Sequence, residues 1–216
     1  MRAVTIHDSK NDEHTSLPLS VWTDEQLVER YRETGEPAVF SEIVRRYERE
    51  LYSYLRRYLG QAEMAEDAFQ WTFLQLHLKC DQFDPTRKLR PWLYMIATNK
   101  AIDLQRRNRR HRMISLNGPG GNFGEETGKL IDVVLSSEDA PSSRLDDAEK
   151  STWLRNALGN LPEHLQLVVN LVYFQGLKYR EAADVLAVPV GTVKSRLHAA
   201  ITKLTDQWDQ QHSENE

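Results

Sequence analysis

The chain has 216 residues, of which 40% are hydrophobic and 28% charged, a balance that suits one or two soluble globular domains. No apolar run approaches the roughly 20 residues that cross a bilayer, and the N-terminal MRAVTIHDSKNDEHTS has no apolar signal core, so a cytoplasmic chain without membrane insertion is expected. Cys80 is alone and the seven His are scattered, which leaves no disulfide framework and no metal-ligand set; no metal and no cofactor are expected.

Residues 1–22 are polar and predict a disordered extension. Thr23 and Gln26 form a capping box that opens a short helix to Arg32, broken by Gly35. Pro37 opens a long helix with Phe40, Ile43, Val44, Tyr47, Leu51, Tyr54, Leu55 and Tyr58 at helical spacing, ended by Gly60. A third helix spans Ala62 to Lys79 with Ala65, Ala68, Phe69, Thr72 and Leu76 inward. Asp67, Gln70 and Leu74 then lie opposite the core face and Trp71 at its edge. An exposed Leu and Trp beside an acid suit a partner surface; scattered surface apolar groups are the plainer alternative. After a loop containing Asp84-Pro85, a fourth helix opens near Pro91 and turns Leu93, Ile96, Ala97 and Leu104 inward. Residues 23–108 thus read as one compact all-α domain.

The net charge of −4 looks wrong for a nucleic-acid binder, but local patches set affinity. Lys100, Arg106, Arg107, Arg109, Arg110 and Arg112 stand against Asp103 alone, and a strongly acidic stretch follows to Lys150. A helix C-terminus favours some of these cations, yet five Arg exceed what capping requires. Residues 109–144 include NGPGGNFGEETG and SSEDAPSS and read as a linker, with LIDVVL (Leu130 to Leu135) as a short apolar island. The second domain, 145–206, begins with a helix from Asp147 to Leu158. Pro162 opens the next, with Leu165, Val168, Val169 and Val172 inward and Gly176 as its stop. Residues 207–216 are a polar tail.

The stretch from Lys178 to Leu204, KYREAADVLAVPVGTVKSRLHAAITKL, reads as helix, short turn, second helix. At about 100° per residue, Val193, Leu197, Ala200, Ile201 and Leu204 share the inner side of the second helix. Thr192, Ser195, Ala199 and Thr202 lie opposite, flanked by Lys194, Arg196 and His198. A major groove admits one such helix, and these side chains can bond phosphates and base edges. An ordinary helical hairpin with a solvated face shows the same periodicity; the short turn and the Gly-Thr that starts the second helix favour DNA.

The ordered set EPAVFSEIVRRYERELYSYLRRYLG, AEDAFQWTFLQL, FDPTRKLRPWLYMIATNKAIDLQRR and LPEHLQLVVNLVYFQGLKYREAADVLAVPVGTVKSRL resembles the bacterial RNA polymerase sigma factors of the extracytoplasmic-function group. The resemblance covers about residues 23–107 and 145–206. It implies an all-α chain of two small helical domains on an acidic linker, the second ending in a helix-turn-helix. It further implies binding to core RNA polymerase and to promoter DNA, and control by an anti-sigma factor that masks both domains.

Roles follow from the same resemblance. The first domain corresponds to sigma region two, and its third helix docks on the polymerase through Asp67, Gln70, Trp71 and Leu74. Trp71 departs from the family, which usually has an acidic residue after the Gln. The loop and fourth helix capture the melted −10 strand at Phe83, Trp92, Tyr94, Asn99 and Asp103, with Lys100, Arg106 and Arg107 on phosphates. Stacking and side-chain hydrogen bonds can hold an unpaired base, although Trp92 also suits core packing. A mid-helix Asn such as Asn99 has no helix-forming reason to be there. The second domain corresponds to sigma region four and reads the −35 duplex through Thr192, Lys194, Ser195, Arg196, His198 and Ala199. Ala199 and Ile201 stand where the family often has Arg, which lowers the expected salt sensitivity. The linker threads toward the RNA exit path.

Two other classes bear on the reading. A stand-alone helix-turn-helix regulator requires a ligand pocket, receiver or dimer face in the first domain, and none is evident. An enzyme requires a convergent constellation; the acid pair Glu66-Asp67 lies on a helix without a neighbouring His or Cys, so no catalytic residue is expected.

Overall fold

The computed structural model describes residues 18–116 and 144–213, and every regular element among them is helical. The first domain contains α1 (Asp24–Thr34), α2 (Pro37–Leu59), α3 (Ala62–Lys79) and α4 (Leu89–Leu116). The second contains α5 (Arg144–Gly159), α6 (Glu163–Val169), a π-helical extension Asn170–Phe174, α7 (Tyr179–Leu186) and α8 (Val190–Ser213). Residues 1–17 of the expected disordered extension, the LIDVVL island and the last three residues of the tail fall outside the described residues; residues 18–22, expected in the same extension, are instead ordered around a 3-10 turn at Leu19–Val21.

The local signals account for the helix boundaries. Thr23 Oγ1 accepts from the Gln26 amide at 3.3 Å while Gln26 Oε1 accepts from the Thr23 amide at 2.8 Å, which satisfies two of the donors that a helix start leaves open. Pro37 sits in the first turn of α2, where no amide donor is needed. Gly60 ends α2 at φ 75°, a left-handed conformation that costs a residue with a Cβ and costs glycine nothing. The helix-turn-helix corner is different: Ala187 takes φ 51° without being a glycine. A left-handed alanine carries roughly 1–2 kcal/mol of strain, held here by its amide donating to Asp184 and by Val188 donating to Ala183.

The first core is packed by α2, α3 and α4. Ile43, Leu51, Tyr54, Leu55, Leu76, Leu89 and Leu93 are fully or almost fully buried, each such apolar side chain contributing roughly 1.5–3 kcal/mol. Phe73 is buried as well, edge-on to Phe69 at 5.0 Å and to Phe40 at 6.4 Å. Tyr54 crosses the centre, edge-to-face with Tyr94 at 5.1 Å and hydrogen-bonded to Thr98 Oγ1 at 2.7 Å.

The N-terminal segment is held by one guanidinium. Arg46 donates to the carbonyls of Leu19, Ser20 and Trp22 and pairs with Asp24 and Glu42, while Tyr47 donates to Asp24 at 2.6 Å. Arg45 also bonds Glu42 through two nitrogens at 2.8 Å. The hydrogen bonds from Arg45, reinforced by those from Arg46, hold the Glu42 carboxyl down at about 2.

In the second domain α8 packs on α6 and α7 through Val193, Leu197 and Ala200. Trp153 of α5 meets Trp208 near the end of α8 at 4.7 Å, edge to face. The inward placement expected for Ile201 is corrected: it is 46% exposed. It lies about 70° from the centre of the buried stripe, beyond the reach of α6 and α7.

Candidate nucleic-acid and partner interfaces

α3 and α4 lie side by side in the first domain and turn different faces outward. On α3, Asp67 and Gln70 are exposed, Leu74 is 51% exposed and Leu78 60%, while Trp71 is half-buried. This is the sequence-derived arrangement, with Leu78 added one turn on. An apolar stripe of Leu74 and Leu78 beside an acid is the composition of a protein-docking face rather than a nucleic-acid face. Trp71 turns toward α4, where Lys100 Nζ sits 5.1 Å from its ring centroid. That cation–π contact fixes the Lys100 charge beside Asn99.

On α4, Trp92, Asn99, Asp103 and Arg106 fall within about 60° of one another on the helix. Asn99, Asp103, Arg106 and Arg107 are exposed, and Arg106 reaches back to Asp103 at 3.3 Å. A short amide and a carboxylate flanked by three cations can bond base edges and phosphates at once. α4 continues to Leu116, across position 109 where the linker is expected to begin. Arg109 and Arg110 are therefore helical, and both are exposed.

The aromatic positions divide. Trp92 is half-buried and rests on Phe83 at 5.3 Å between ring centroids. Phe83 is only 5% exposed and Tyr94 is fully buried, so neither offers a ring face to a base in this arrangement. The reason is packing: Phe83 closes the end of the core beneath Trp92, and Tyr94 faces Tyr54 and the second domain. Burial pushes the Tyr94 phenol well above its usual range. Trp92, Phe83 and Met95 line one wall of a cleft of about 850 Å³. Arg180, Asp184 and the turn Ala187–Pro189 line the other.

In the helix-turn-helix, Lys194, Ser195 and His198 are exposed and Thr192, Arg196 and Ala199 are half-buried. Ser195 Oγ donates to the Thr192 carbonyl at 3.1 Å, which leaves its lone pairs outward. Arg196 lies at the side of the helix, about 60° from Val193, and Ala199 packs at the rim of the core. The outward face is therefore narrow, with Lys194, Ser195 and His198 at its centre.

No role for Gln175, Arg57 or Glu163 was legible in the sequence, and for Tyr58 only a helical spacing. Gln175 is 9% exposed; its Oε1 accepts from the Tyr94 phenol at 2.7 Å and its carbonyl from Arg90 at 2.7 Å. These residues bridge the two domains, and no spacing along one helix signals such a pairing. Among the described residues no helix is long and apolar enough to cross a membrane.

Residues 43–111 match the family model of Sigma-70 region 2, and residues 151–204 that of Sigma-70, region 4. The chain is 30% identical over 164 residues to the ECF RNA polymerase sigma factor SigW of Bacillus subtilis, covering 76% of this chain and 86% of that one. It is 31% identical over 178 residues to the RNA polymerase sigma-H factor of Pseudomonas aeruginosa, covering 82% and 89%. Among solved structures, CnrH in complex with the cytosolic domain of CnrY superposes with a TM-score of 0.60 at 25% identity, covering 87% of this chain and 97% of that one. The sigma factor RpoE in complex with the anti-sigma factor NepR from Bartonella quintana shares the fold, with a TM-score of 0.59 at 23% identity over 77% of this chain and 94% of that one.

Proposed function

The chain belongs to the extracytoplasmic-function RNA polymerase sigma factors, and we propose that it works as one through the faces described above. It binds core RNA polymerase and directs promoter-specific transcription initiation. Residues 23–116 serve as the polymerase-docking and −10 strand-capture domain and residues 144–206 as the −35 reader, with residues 117–143 as the linker between them.

The observation that carries the residue assignment is the pair of outward faces on neighbouring helices. α3 offers Asp67, Gln70 and Leu74 to a protein. α4 offers Asn99, Lys100, Asp103, Arg106 and Arg107 to a nucleic-acid strand. The half-exposed Trp92 is the stacking surface, and Phe83 and Tyr94 support it from the core. Lys194, Ser195 and His198 read the duplex, with Thr192, Arg196 and Ala199 at the edges of the same face.

The chain acts in the cytoplasm, where its polymerase and DNA are, and it catalyses no reaction itself. Its controlling partner is an anti-sigma factor, by likeness to the sigma factor RpoE of Bartonella quintana, which shares the fold and is solved in complex with the anti-sigma factor NepR. A stand-alone regulator is not favoured, because the first domain matches Sigma-70 region 2. Copurification tests the reading: affinity-tagged chain should retain stoichiometric core polymerase and support run-off transcription from a subset of genomic fragments. A chain that binds those fragments tightly without polymerase would support the regulator instead.

A further inference from the structure

The two outward faces proposed for α3 and α4 leave out Trp71, although its surroundings are specific. Its half-buried ring lies at the seam of the two helices, with the Nζ of the half-buried Lys100 at 5.1 Å from its centroid. Two other cations of α4 pair with carboxylates, Arg106 with Asp103 at 3.3 Å and Arg109 with Glu163 at 3.0 Å. The Lys100 ammonium, among the described residues, has the Trp71 ring as its only partner. Asp67 is exposed one turn before Trp71, yet Lys100 leans on the ring rather than on that carboxylate. We infer that Trp71 is a positioning residue for the captured strand: its ring holds the Lys100 ammonium, still fully charged, at the edge of the α4 reading face, where it meets a phosphate beside the base that Asn99 contacts. This role rests on the strand capture proposed for α4.

The choice of a ring as the partner has a chemical consequence. A carboxylate beside Lys100 would cancel much of its charge and compete with a phosphate for the same N–H donors. An indole ring attracts the cation through its quadrupole and carries no net charge. The ammonium therefore keeps its full attraction for an anion. It has three donors, and a ring on one side leaves the others free to turn outward. A lysine that is free in solution loses rotamer freedom when it meets a phosphate; one already resting on a ring, with its stem along apolar surface, loses less.

The placement along α4 fits a strand. Lys100 directly follows the exposed Asn99. The exposed Arg107 projects within about 20° of Lys100 and lies roughly 10 Å farther along the axis. The two cations form one row on the side of α4 that Trp71 marks, next to Asn99, Asp103 and Arg106. A strand laid along α4 then places its bases over Asn99 and Asp103 and its phosphates on that row.

The test uses full-length chain assembled with core polymerase, at concentrations where polymerase saturates each variant. The probe is a fluorescein-labelled single-stranded oligonucleotide carrying the −10 sequence of a promoter selected by run-off transcription. Trp71→Leu should weaken oligonucleotide binding by about two- to fivefold, the worth of one partly exposed cation–π contact. Trp71→Phe, which keeps a ring face, should bind closer to the parent. Lys100→Met should lower the log–log salt slope by about 0.7, the value of one phosphate contact on a single strand. In the Lys100→Met background, Trp71→Leu should cost nothing further, whereas a merely structural Trp71 would weaken both backgrounds alike. Additive losses in the double variant overturn the assignment. So does a saturated Trp71→Leu holoenzyme that binds the oligonucleotide as the parent does; reduced polymerase affinity in that variant would return Trp71 to the docking face. A parent holoenzyme that fails to hold the oligonucleotide overturns strand capture by α4 and this role with it, and it differs visibly from failure of the role alone, in which the parent binds.

Discussion

At the residue scale, Glu42 and Asn99 make opposite kinds of demand on their surroundings. Glu42 accepts from Arg45 and Arg46, and its pKa falls to about 2. A depressed carboxyl stabilises the fold above its unfolded value of about 4.3 and loses that contribution as pH falls toward 2. The parent should therefore lose melting temperature between about pH 4.5 and 2, and Glu42→Gln should lose much less there while being less stable at pH 7. Thermal melts across that range settle it; parallel curves would show that Glu42 does not carry the acid sensitivity. Asn99 is exposed, and among the described residues its side chain makes no hydrogen bond that a substitution would break. Asn99→Ala should leave the stability within about 0.5 kcal/mol of the parent yet weaken binding of a single-stranded −10 oligonucleotide by the holoenzyme. Unchanged open-complex formation on duplex and premelted templates would remove Asn99 from the reading surface.

At the scale of elements, the helix starts and stops were legible because they depend on neighbours in sequence: Thr23 with Gln26, Pro37, Gly60, Gly176. The face assignments of α3 and α8 were legible for the same reason, since 3.6-residue periodicity fixes which side chains share a face. Failures came where a second element decides. Ile201 belongs to the inner half of α8 by angle, but no helix reaches that edge. Phe83 and Tyr94 are aromatic beside a basic helix, and only the packing shows that they face inward. The exposed face of α3 yields a prediction at this scale. Arg in place of both Asp67 and Leu74 should abolish binding to core polymerase, as followed by gel filtration, while circular dichroism stays unchanged. The same face binding polymerase with parental affinity would mean that docking lies elsewhere. On α8, Arg196→Ala should flatten the salt dependence of −35 binding by up to about one unit of log–log slope. Lys194→Ala and Ser195→Ala should instead relax base preference, at roughly 1–3 kcal/mol for a good bidentate contact. Titrations against −35 variants at several salt concentrations separate the two, and a changed base preference with an unchanged slope for Arg196→Ala would contradict the groove placement.

At the scale of the whole molecule, the charge distribution, two small cores and a long connection fit a protein that must touch two promoter elements and a polymerase at once. Each domain offers an outward face. The contact between the domains was not legible in the sequence because Gln175, Glu163, Tyr58 and Arg57 are ordinary polar residues whose partners lie far along the chain, 81 positions apart for Tyr94 and Gln175 and 105 for Tyr58 and Glu163. The central claim is that this chain gives core polymerase the ability to open chosen promoters. It is tested most directly by permanganate probing of a promoter fragment, selected by run-off transcription, with core polymerase in the presence and absence of the chain. The account predicts thymines in the −10 region that become reactive only when chain and polymerase are both present, and that remain protected with Asn99→Ala. Reactivity that polymerase produces alone, or none with the reconstituted pair on any fragment it transcribes, would contradict it.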